Sequence, residues 1–265
     1  MRAVVAGLDL GSVATKAVVC DAHDFFVLGH AVRPTGWRPA AAAEEALAEA
    51  MRAAGVDRRD LRYFGITGYG RDLYPDAAAR ATEVTCQAWG VHHLAPDVRT
   101  ILDIGGQDTK ALRLDEEGRA LDFALNDRCA AGTGRFLEVM ARALEMSLEE
   151  LGLAAARADE VCPISATCTV FAESEVVGLL AQGQSRDSLA AGLCHAIARQ
   201  VIALAARVGI EKPVALVGGV AYNEGVRKAL REQLEGGLIV PGEPQFTAAL
   251  GAAILAAEMS RGEED

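Results

Sequence analysis

The sequence predicts an α/β protein built from two related halves, because it contains an internal repeat and because apolar strands alternate with amphipathic helices around that repeat. Residues 8–17 read Leu-Asp-Leu-Gly-Ser-Val-Ala-Thr-Lys-Ala, and residues 102–111 read Leu-Asp-Ile-Gly-Gly-Gln-Asp-Thr-Lys-Ala. Leu, Asp, Gly, Thr, Lys and Ala coincide at a constant offset of 94 positions. A repeat of this spacing indicates two similar domains and not the short units of a solenoid.

Each copy of the repeat follows an apolar strand, 4–10 or 100–104, and precedes a second β-rich run, 16–20 or 110–114. The Asp-Gly segment between the two strands is therefore predicted to be a hairpin turn, in which glycine supplies unusual backbone angles. Further strands are expected over 62–67 and 212–217. Hydrophobic periodicity and composition predict helices over 39–55, 79–94, 134–146, 169–182, 187–209, 223–234 and 247–261.

These elements divide the chain into domain I, residues 1–98 plus 244–265, and domain II, residues 99–243. The last helix is expected to pack back onto domain I. The alternation of strands and helices in two repeated halves places both domains in the α/β class.

Composition and charge favour a protein that does not bind nucleic acid. The chain has 265 residues, of which 51% are hydrophobic and 5% aromatic, and its 26 basic and 37 acidic residues give a net charge of −11. A nucleic-acid surface needs clustered Lys and Arg, which the sequence lacks. The chain enters its first strand too early for a signal peptide, and no apolar stretch approaches the ~18 residues of a membrane span, so we expect a cytoplasmic protein.

The glycine turns form a candidate phosphate site, because backbone N–H groups without a neighbouring Cβ can approach phosphates closely. Asp9 and Asp103 end equivalent strands and are candidates to hold Mg²⁺ through its water ligands. Gln107 or Asp108 is a candidate to orient an attacking water. The predicted nucleotide-binding residues in the two turns are Gly11, Ser12, Val13, Ala14, Thr15 and Lys16, and Gly105 and Gly106. Gly132, Thr133 and Gly134 lie before a helix N-terminus, where an anion is favoured. Gly218, Gly219 and Val220 follow a later strand, and Asn223 and Gln245 complete the predicted set.

This order of turns resembles the actin, heat-shock ATPase and sugar kinase superfamily over the whole chain. The resemblance implies two ribonuclease-H-like domains of the actin-like ATPase fold, with ATP bound in the cleft between them. One Asp-x-Gly turn alone is usually an ordinary hairpin, whereas two matched copies followed by a Gly-Gly turn are much more specific. The turns by themselves leave open a small-molecule kinase, such as an amino sugar kinase with Asp103 as its base, and an actin-like filament or scaffold protein.

Two cysteines form a second candidate site. Cys129 and Cys168 each lie just before or at the start of a predicted helix, where the helix dipole and free N–H groups stabilise negative charge on sulfur. Two thiolates cannot complete a four-thiolate site, but a twofold dimer would bring four together. Such a site suits zinc or an iron–sulfur cluster, and buried structural cysteine is the ordinary alternative. Cys20, Cys86 and Cys194 are expected to be free thiols in the core. No role is assigned to Cys162.

Three strings in domain II are more specific than the turns. Residues 103–110, residues 126–137 (Asn-Asp-Arg-Cys-Ala-Ala-Gly-Thr-Gly-Arg-Phe-Leu) and residues 167–176 (Thr-Cys-Thr-Val-Phe-Ala-Glu-Ser-Glu-Val) resemble the activator component of 2-hydroxyacyl-CoA dehydratases. The activators of 2-hydroxyglutaryl-CoA dehydratase are the most similar members, and the group belongs with the BadF/BadG/BcrA/BcrD-type ATPases. The similarity spans nearly the full length of the chain.

The resemblance implies a homodimer that holds one [4Fe–4S] cluster between its subunits, with Cys129 and Cys168 of each chain as ligands. It also implies that ATP hydrolysis drives one low-potential electron to the dehydratase, component D, and that a ferredoxin or flavodoxin supplies that electron. An ATPase subunit of a benzoyl-CoA reductase would share the turns and the cysteines. A kinase would share the turns alone.

Overall fold

The structure is a computed structural model that describes residues 3–75, 77–165 and 168–264. The chain divides into two compact units. Unit 1 comprises Met1–Val98, Leu114–Leu121 and Gln245–Asp265, and unit 2 comprises Arg99–Arg113 and Asp122–Pro244. A five-stranded sheet lies at the centre of each unit.

The described residues form ten strands and eight α-helices. The strands are β1 (Val4–Leu10), β2 (Ala14–Asp21), β3 (Val27–Pro34), β4 (Leu61–Thr67), β5 (Ala79–Arg80), β6 (Thr100–Ile104), β7 (Thr109–Leu114), β8 (Ala120–Asn126), β9 (Val214–Val217) and β10 (Leu238–Ile239). The helices are α1 (Pro39–Ala54), α2 (Glu83–Leu94), α3 (Gly134–Ala143), α4 (Leu148–Arg157), α5 (Thr169–Ala181), α6 (Arg186–Ala205), α7 (Glu224–Gln233) and α8 (Thr247–Glu264).

The two sheets have the same arrangement around their central strands. The first has the order β3-β2-β1-β4-β5, and the second has the order β10-β9-β6-β7-β8. In the first, β1 pairs with β2 antiparallel and with β4 parallel. In the second, β6 pairs with β7 antiparallel and with β9 parallel. The repeat in the sequence therefore corresponds to a repeated hairpin that is extended, on its other side, by a parallel strand.

Unit 1 buries β1 on both faces. Leu8 and its alternate neighbours pack against α1, whereas Val5 packs against α8 on the opposite face. Two glycines let the sheet approach α8 closely: a Cβ at Gly7 or at Gly65 would overlap a backbone carbonyl oxygen of that helix. Close contact of this kind leaves no room for even a methyl group.

Unit 2 is organised around α6, most of whose residues are buried in a single apolar core. By length and composition α6 could cross a membrane, but 72% of its apolar window is buried inside the protein, as expected of a core helix. The helices α4 and α7 pack against it.

The predicted α/β class is confirmed, and some elements differ from the sequence-based expectation. The predicted helix over 79–94 begins only at Glu83, because Ala79 and Arg80 pair with β4 and the side chain of Thr82 caps the helix by accepting from the Thr85 N–H. The outer strands β3 and β8 and the helix α4 were not predicted. The last begins with a capping box between Ser147 and Glu150.

Replacing Gly65 by alanine tests the close packing of the first sheet on α8. We expect Gly65→Ala to lower the free energy of unfolding by about 2–4 kcal/mol, because its Cβ would meet the backbone of Ala252. The matched control is Gly178→Ala in α5, where no atom lies within 4 Å of the new Cβ. That change should leave stability unaltered or raise it by up to about 1 kcal/mol. Urea unfolding of both variants measures the difference, and equal stabilities would contradict this packing.

Candidate functional site

In unit 1 a buried carboxylate ends the central strand. Asp9 is only 2% exposed and lies opposite Lys16 in the β1–β2 register. The Lys16 Nζ donates to Asp9 Oδ2 at 2.8 Å, while Asp9 Oδ1 is buried and has no hydrogen-bond partner. A buried, unsatisfied carboxylate oxygen is costly. It is therefore an acceptor suited to a water ligand of a bound Mg²⁺ ion.

Gly68 makes room for this carboxylate. It follows the parallel strand β4, has φ of 87°, and a Cβ there would lie 2.7 Å from Asp9 Oδ1. Only glycine combines this backbone angle with so close an approach.

Unit 2 repeats the arrangement. Asp103 ends β6, is 5% exposed and lies opposite Lys110 in the β6–β7 register. Gly218 follows the parallel strand β9, has φ of 85°, and a Cβ there would lie 2.6 Å from Asp103 Oδ1. The Lys110 Nζ lies 3.8 Å from Asp103 Oδ2 and 2.5 Å from Asp108 Oδ2, so two carboxylates share one lysine.

Two members of these arrangements were not among the predicted site residues. Lys110 is the counterpart of Lys16 at the same 94-residue offset, so the repeat itself carried the signal. Gly68 is the structural counterpart of Gly218. Its position beside Asp9 depends on the pairing of β4 with β1.

The turn between β6 and β7 is fixed by the start of α3. The Gly105 N–H donates to the Asp108 carbonyl at 2.9 Å, which closes the turn. The N–H groups of Gly134 and Arg135 donate to the carbonyls of Gly105 and Gly106, both at 2.8 Å. The N-terminus of α3 therefore supports the turn, and two of its N–H groups are already used for this purpose.

The remaining predicted nucleotide-binding residues differ in their exposure and in the hydrogen bonds that they already make within the protein. In the first turn Ser12 and Val13 are exposed, Ala14 is half-buried, and the Gly11 carbonyl accepts from the Thr35 hydroxyl at 2.7 Å. The hydroxyl oxygens of Thr15 and Thr35 lie 2.9 Å apart, within hydrogen-bond distance.

In unit 2, Gln107 and Gly219 are exposed, and Gly219–Tyr222 forms a 3₁₀ turn that includes the buried Val220. Asn223 caps α7: its Oδ1 accepts from the Val226 N–H at 3.0 Å. Gly132 and Thr133 are buried before α3. Gln245 is half-buried and belongs to unit 1.

The six cysteines fall into two classes. Cys129 and Cys168 are exposed free thiols, and the other four are buried. Burial raises the pKa of Cys20, Cys86 and Cys194 to about 12. Burial, with a smaller contribution from Glu175, also raises the pKa of the Cys162 thiol. The two predicted ligands are thus the two cysteines that reagents and partners can reach.

Both exposed cysteines lie at or before the N-terminus of a helix. Cys168 is the N-cap of α5, and Cys129 lies in the loop before α3. Neither helix has an acidic residue in its first turn. The other helices of unit 2, α4, α6 and α7, all have one or more. The dipole of α5 is therefore available to stabilise negative charge at Cys168.

The two exposed cysteines are of the residue type that an iron–sulfur cluster requires, but two per chain are too few for a four-cysteine site. Within the described part of the chain, no group of three or more His, Cys, Asp and Glu side chains is placed to hold a metal ion. Cysteine sulfur is a soft ligand of the kind that such clusters require, and each chain exposes two. Their exposure also leaves them accessible to a second subunit.

Residues 6–256 match the sequence profile of the BadF/BadG/BcrA/BcrD ATPase family. The chain belongs to the BadF/BadG/BcrA/BcrD ATPase family. Among its relatives is an activator of lactoyl-CoA dehydratase from Anaerotignum propionicum, which is 44% identical over 256 residues, covering 96% of this chain and 98% of the relative.

Two solved structures of dehydratase activators resemble this BadF/BadG/BcrA/BcrD ATPase. Component A of (R)-2-hydroxyglutaryl-CoA dehydratase from Acidaminococcus fermentans superposes with a TM-score of 0.93 and 37% identity, covering 98% of this chain and 99% of that one. The activator of 2-hydroxyisocaproyl-CoA dehydratase from Clostridium difficile with bound ADPNP has a TM-score of 0.91 and 40% identity, covering 100% of this chain and 97% of that one. The resemblance and the actin-like ATPase fold inferred from the sequence are confirmed.

Substitution of Gly218 tests whether the space beside Asp103 is needed for nucleotide binding. We expect Gly218→Ala to raise the Kd for ADP about tenfold or more, because its Cβ would displace the Asp103 carboxylate or the Ile104 carbonyl. Gly183→Ala is the matched control: φ there is 88°, but no atom lies within 4 Å. Both variants carry similar backbone strain, so calorimetric titration that gave equal Kd values would exclude the role assigned to Gly218.

Alkylation tests the two classes of cysteine. We expect iodoacetamide at pH 8 to add two groups to the folded, iron-free chain, at Cys129 and Cys168. Thiols with a pKa of about 12, such as Cys194, hold almost no thiolate at this pH. Unfolding in guanidinium should expose all six. Intact mass and peptide mapping give the count, and labelling of Cys194 at the rate of Cys129 would be inconsistent with the fold.

Proposed function

We propose that this chain is the ATP-dependent activator of a 2-hydroxyacyl-CoA dehydratase, and that two copies share a [4Fe–4S] cluster. The observation that carries the proposal is that unit 2 contains both a carboxylate–lysine turn and two exposed thiols, at Cys129 and Cys168, next to helix ends without acidic neighbours. The relatives named as dehydratase activators support the same assignment.

The carboxylates are proposed to organise the nucleotide. Asp9 and Asp103 would accept hydrogen bonds from the waters of Mg²⁺, and Gln107 or Asp108 would orient the attacking water. Lys16 and Lys110 would offset the charge of the phosphates. The predicted domains I and II would close on ATP bound between them, with the glycine turns of both domains lining the cleft.

The cysteine residues are proposed to hold the cluster. Cys129 and Cys168 of each chain would supply four thiolates in the dimer, and the N-termini of α3 and α5 would favour the more negatively charged form. When bound, the cluster supplies one-electron transfer at low potential. Closure around ATP would change the relative position of the cysteine-bearing loops in the dimer and so couple hydrolysis to delivery of the electron.

The proposed partners follow from this assignment. The electron acceptor would be component D of a 2-hydroxyacyl-CoA dehydratase, and the donor would be a ferredoxin or flavodoxin. The net charge of −11 favours docking onto a basic patch of a partner protein.

Two alternatives make different predictions. An ATPase subunit of a benzoyl-CoA-type reductase would also bind iron, and reconstitution with each partner enzyme separates the two. A small-molecule kinase would bind no iron and would need an acceptor hydroxyl. The exposed thiols Cys129 and Cys168 have no function in a kinase mechanism, so the observed pair favours an activator.

Iron content tests the cluster directly. We expect the anaerobically purified protein to be brown and to contain about four irons per two chains. Cys129→Ser and Cys168→Ser should each remove the colour while ADPNP still binds, because the ligands are not in the nucleotide turns. Cys194→Ser is the matched control, since this thiol is buried in the core. Colourless wild-type protein with intact cysteines, or iron that survives both substitutions, would falsify the ligand assignment.

A further inference from the structure

The loop that carries Cys129 is bonded directly to the β6–β7 turn. The Thr109 hydroxyl, at the first residue of β7, donates to the Gly132 carbonyl at 2.6 Å. Thr109 is 1% exposed and Gly132 is also buried, so this hydrogen bond is shielded from water. Thr109 is adjacent in sequence to Asp108, whose carboxylate contacts Lys110. One side chain thus joins the candidate phosphate turn to the segment that follows Cys129.

A second side chain continues this connection to the cysteine. Asn126, the last residue of β8, donates from its Nδ2 to the Cys129 carbonyl at 3.0 Å and to the Ala131 carbonyl at 3.1 Å. Ala131 is bonded covalently to Gly132. The loop is therefore held at Gly132 by Thr109, and at Ala131 and Cys129 by Asn126. A displacement of Gly132 would be transmitted to the backbone of Cys129 over three residues.

The first copy of the repeat uses the equivalent threonine differently. Thr15 lies 2.9 Å from the hydroxyl of Thr35, and that hydroxyl donates to the Gly11 carbonyl at 2.7 Å. These bonds stay within unit 1 and support its own turn. The threonine of the first copy, Thr15, therefore contributes to hydrogen bonds around its own turn. The equivalent threonine of the second copy, Thr109, bonds to the loop that carries Cys129.

We infer that Thr109 is a positioning residue that transmits nucleotide occupancy of the β6–β7 turn to the Cys129 loop. This inference rests on the proposed function. A phosphate bound at residues 105–108 restrains the start of β7, and the Thr109–Gly132 hydrogen bond extends that restraint to Cys129. The hydroxyl is the transmitting group, so serine should replace threonine and the nearly isosteric valine should not.

Hydrogen–deuterium exchange measures this transmission independently of electron transfer. The full-length protein is compared with and without saturating ADPNP as wild type, Thr109→Ser and Thr109→Val. In wild type and Thr109→Ser we expect ADPNP to slow exchange over 104–108 and, by about fivefold, over 127–133, the factor typical of one hydrogen bond. In Thr109→Val the effect over 104–108 should persist, and the effect over 127–133 should fall below about twofold.

Thr35→Val is the matched control, because Thr35 is outside the predicted nucleotide-binding residues and its hydroxyl supports the turn of the first copy through the Gly11 carbonyl. At saturating ADPNP it should retain the effect over 127–133. Asn126→Ala supplies an independent variant at a half-buried position, which keeps the test decisive if Thr109→Val folds poorly. Loss of both Asn126 bonds should speed exchange over 127–131 and reduce the ADPNP effect at Cys129 while leaving that over 104–108 unchanged.

The outcomes separate this inference from the proposed function. If wild type responds over 104–108 but not over 127–133, or if Thr109→Val responds as wild type does, the inference is overturned and nucleotide binding stands. If Asn126→Ala keeps the full response over 127–131, the second step of the connection is overturned. If ADPNP has no effect over 104–108 in wild type, the proposed nucleotide site has failed as well.

Discussion

A buried carboxylate at the end of a central strand is the constraint on which both halves of the molecule depend. Asp9 and Asp103 are almost completely shielded from water. A charge in such a position costs several kcal/mol unless a counter-charge and hydrogen bonds compensate it. The fold supplies the counter-charge through an antiparallel hairpin, whose register places Lys16 or Lys110 directly opposite. It supplies the space through the glycine, Gly68 or Gly218, that follows the parallel strand on the other side.

The sequence was sufficient to predict the hairpins because only three or four residues separate the two strands of each hairpin. The identical Asp and Lys spacing in the two copies specifies one register, since a slip of one residue would place Lys on the opposite face. Gly68 could not be assigned in the same way. Its role depends on β4 pairing with β1, a contact distant in sequence. The outer strands β3 and β8 were missed for a related reason: their exposed side chains weaken the apolar signal that identifies a strand.

Some of the predicted nucleotide-binding residues already use their polar groups in hydrogen bonds within the protein. Gly134 has the position expected of an anion-binding helix N-terminus, but its N–H donates to the Gly105 carbonyl. Asn223 follows a Gly-Gly turn, as a nucleotide contact would, but its side chain caps α7. Sequence shows which donors exist near a turn. Whether a donor is available to a ligand depends on the chain segments that tertiary structure brings beside it.

The two copies of the turn have diverged in a way that favours different roles. Asp108 occupies the repeat position that Ala14 occupies in the first copy, and in the second copy it places another carboxylate against the lysine. The Lys110 Nζ lies closer to Asp108 than to Asp103, whereas the Lys16 Nζ lies 2.8 Å from Asp9. The lysine of the second copy is therefore shared between Asp103 and Asp108. The same turn is bonded to the loop of Cys129, so the copy that carries the proposed water-orienting residues, Gln107 and Asp108, is also the copy connected to the proposed cluster ligand.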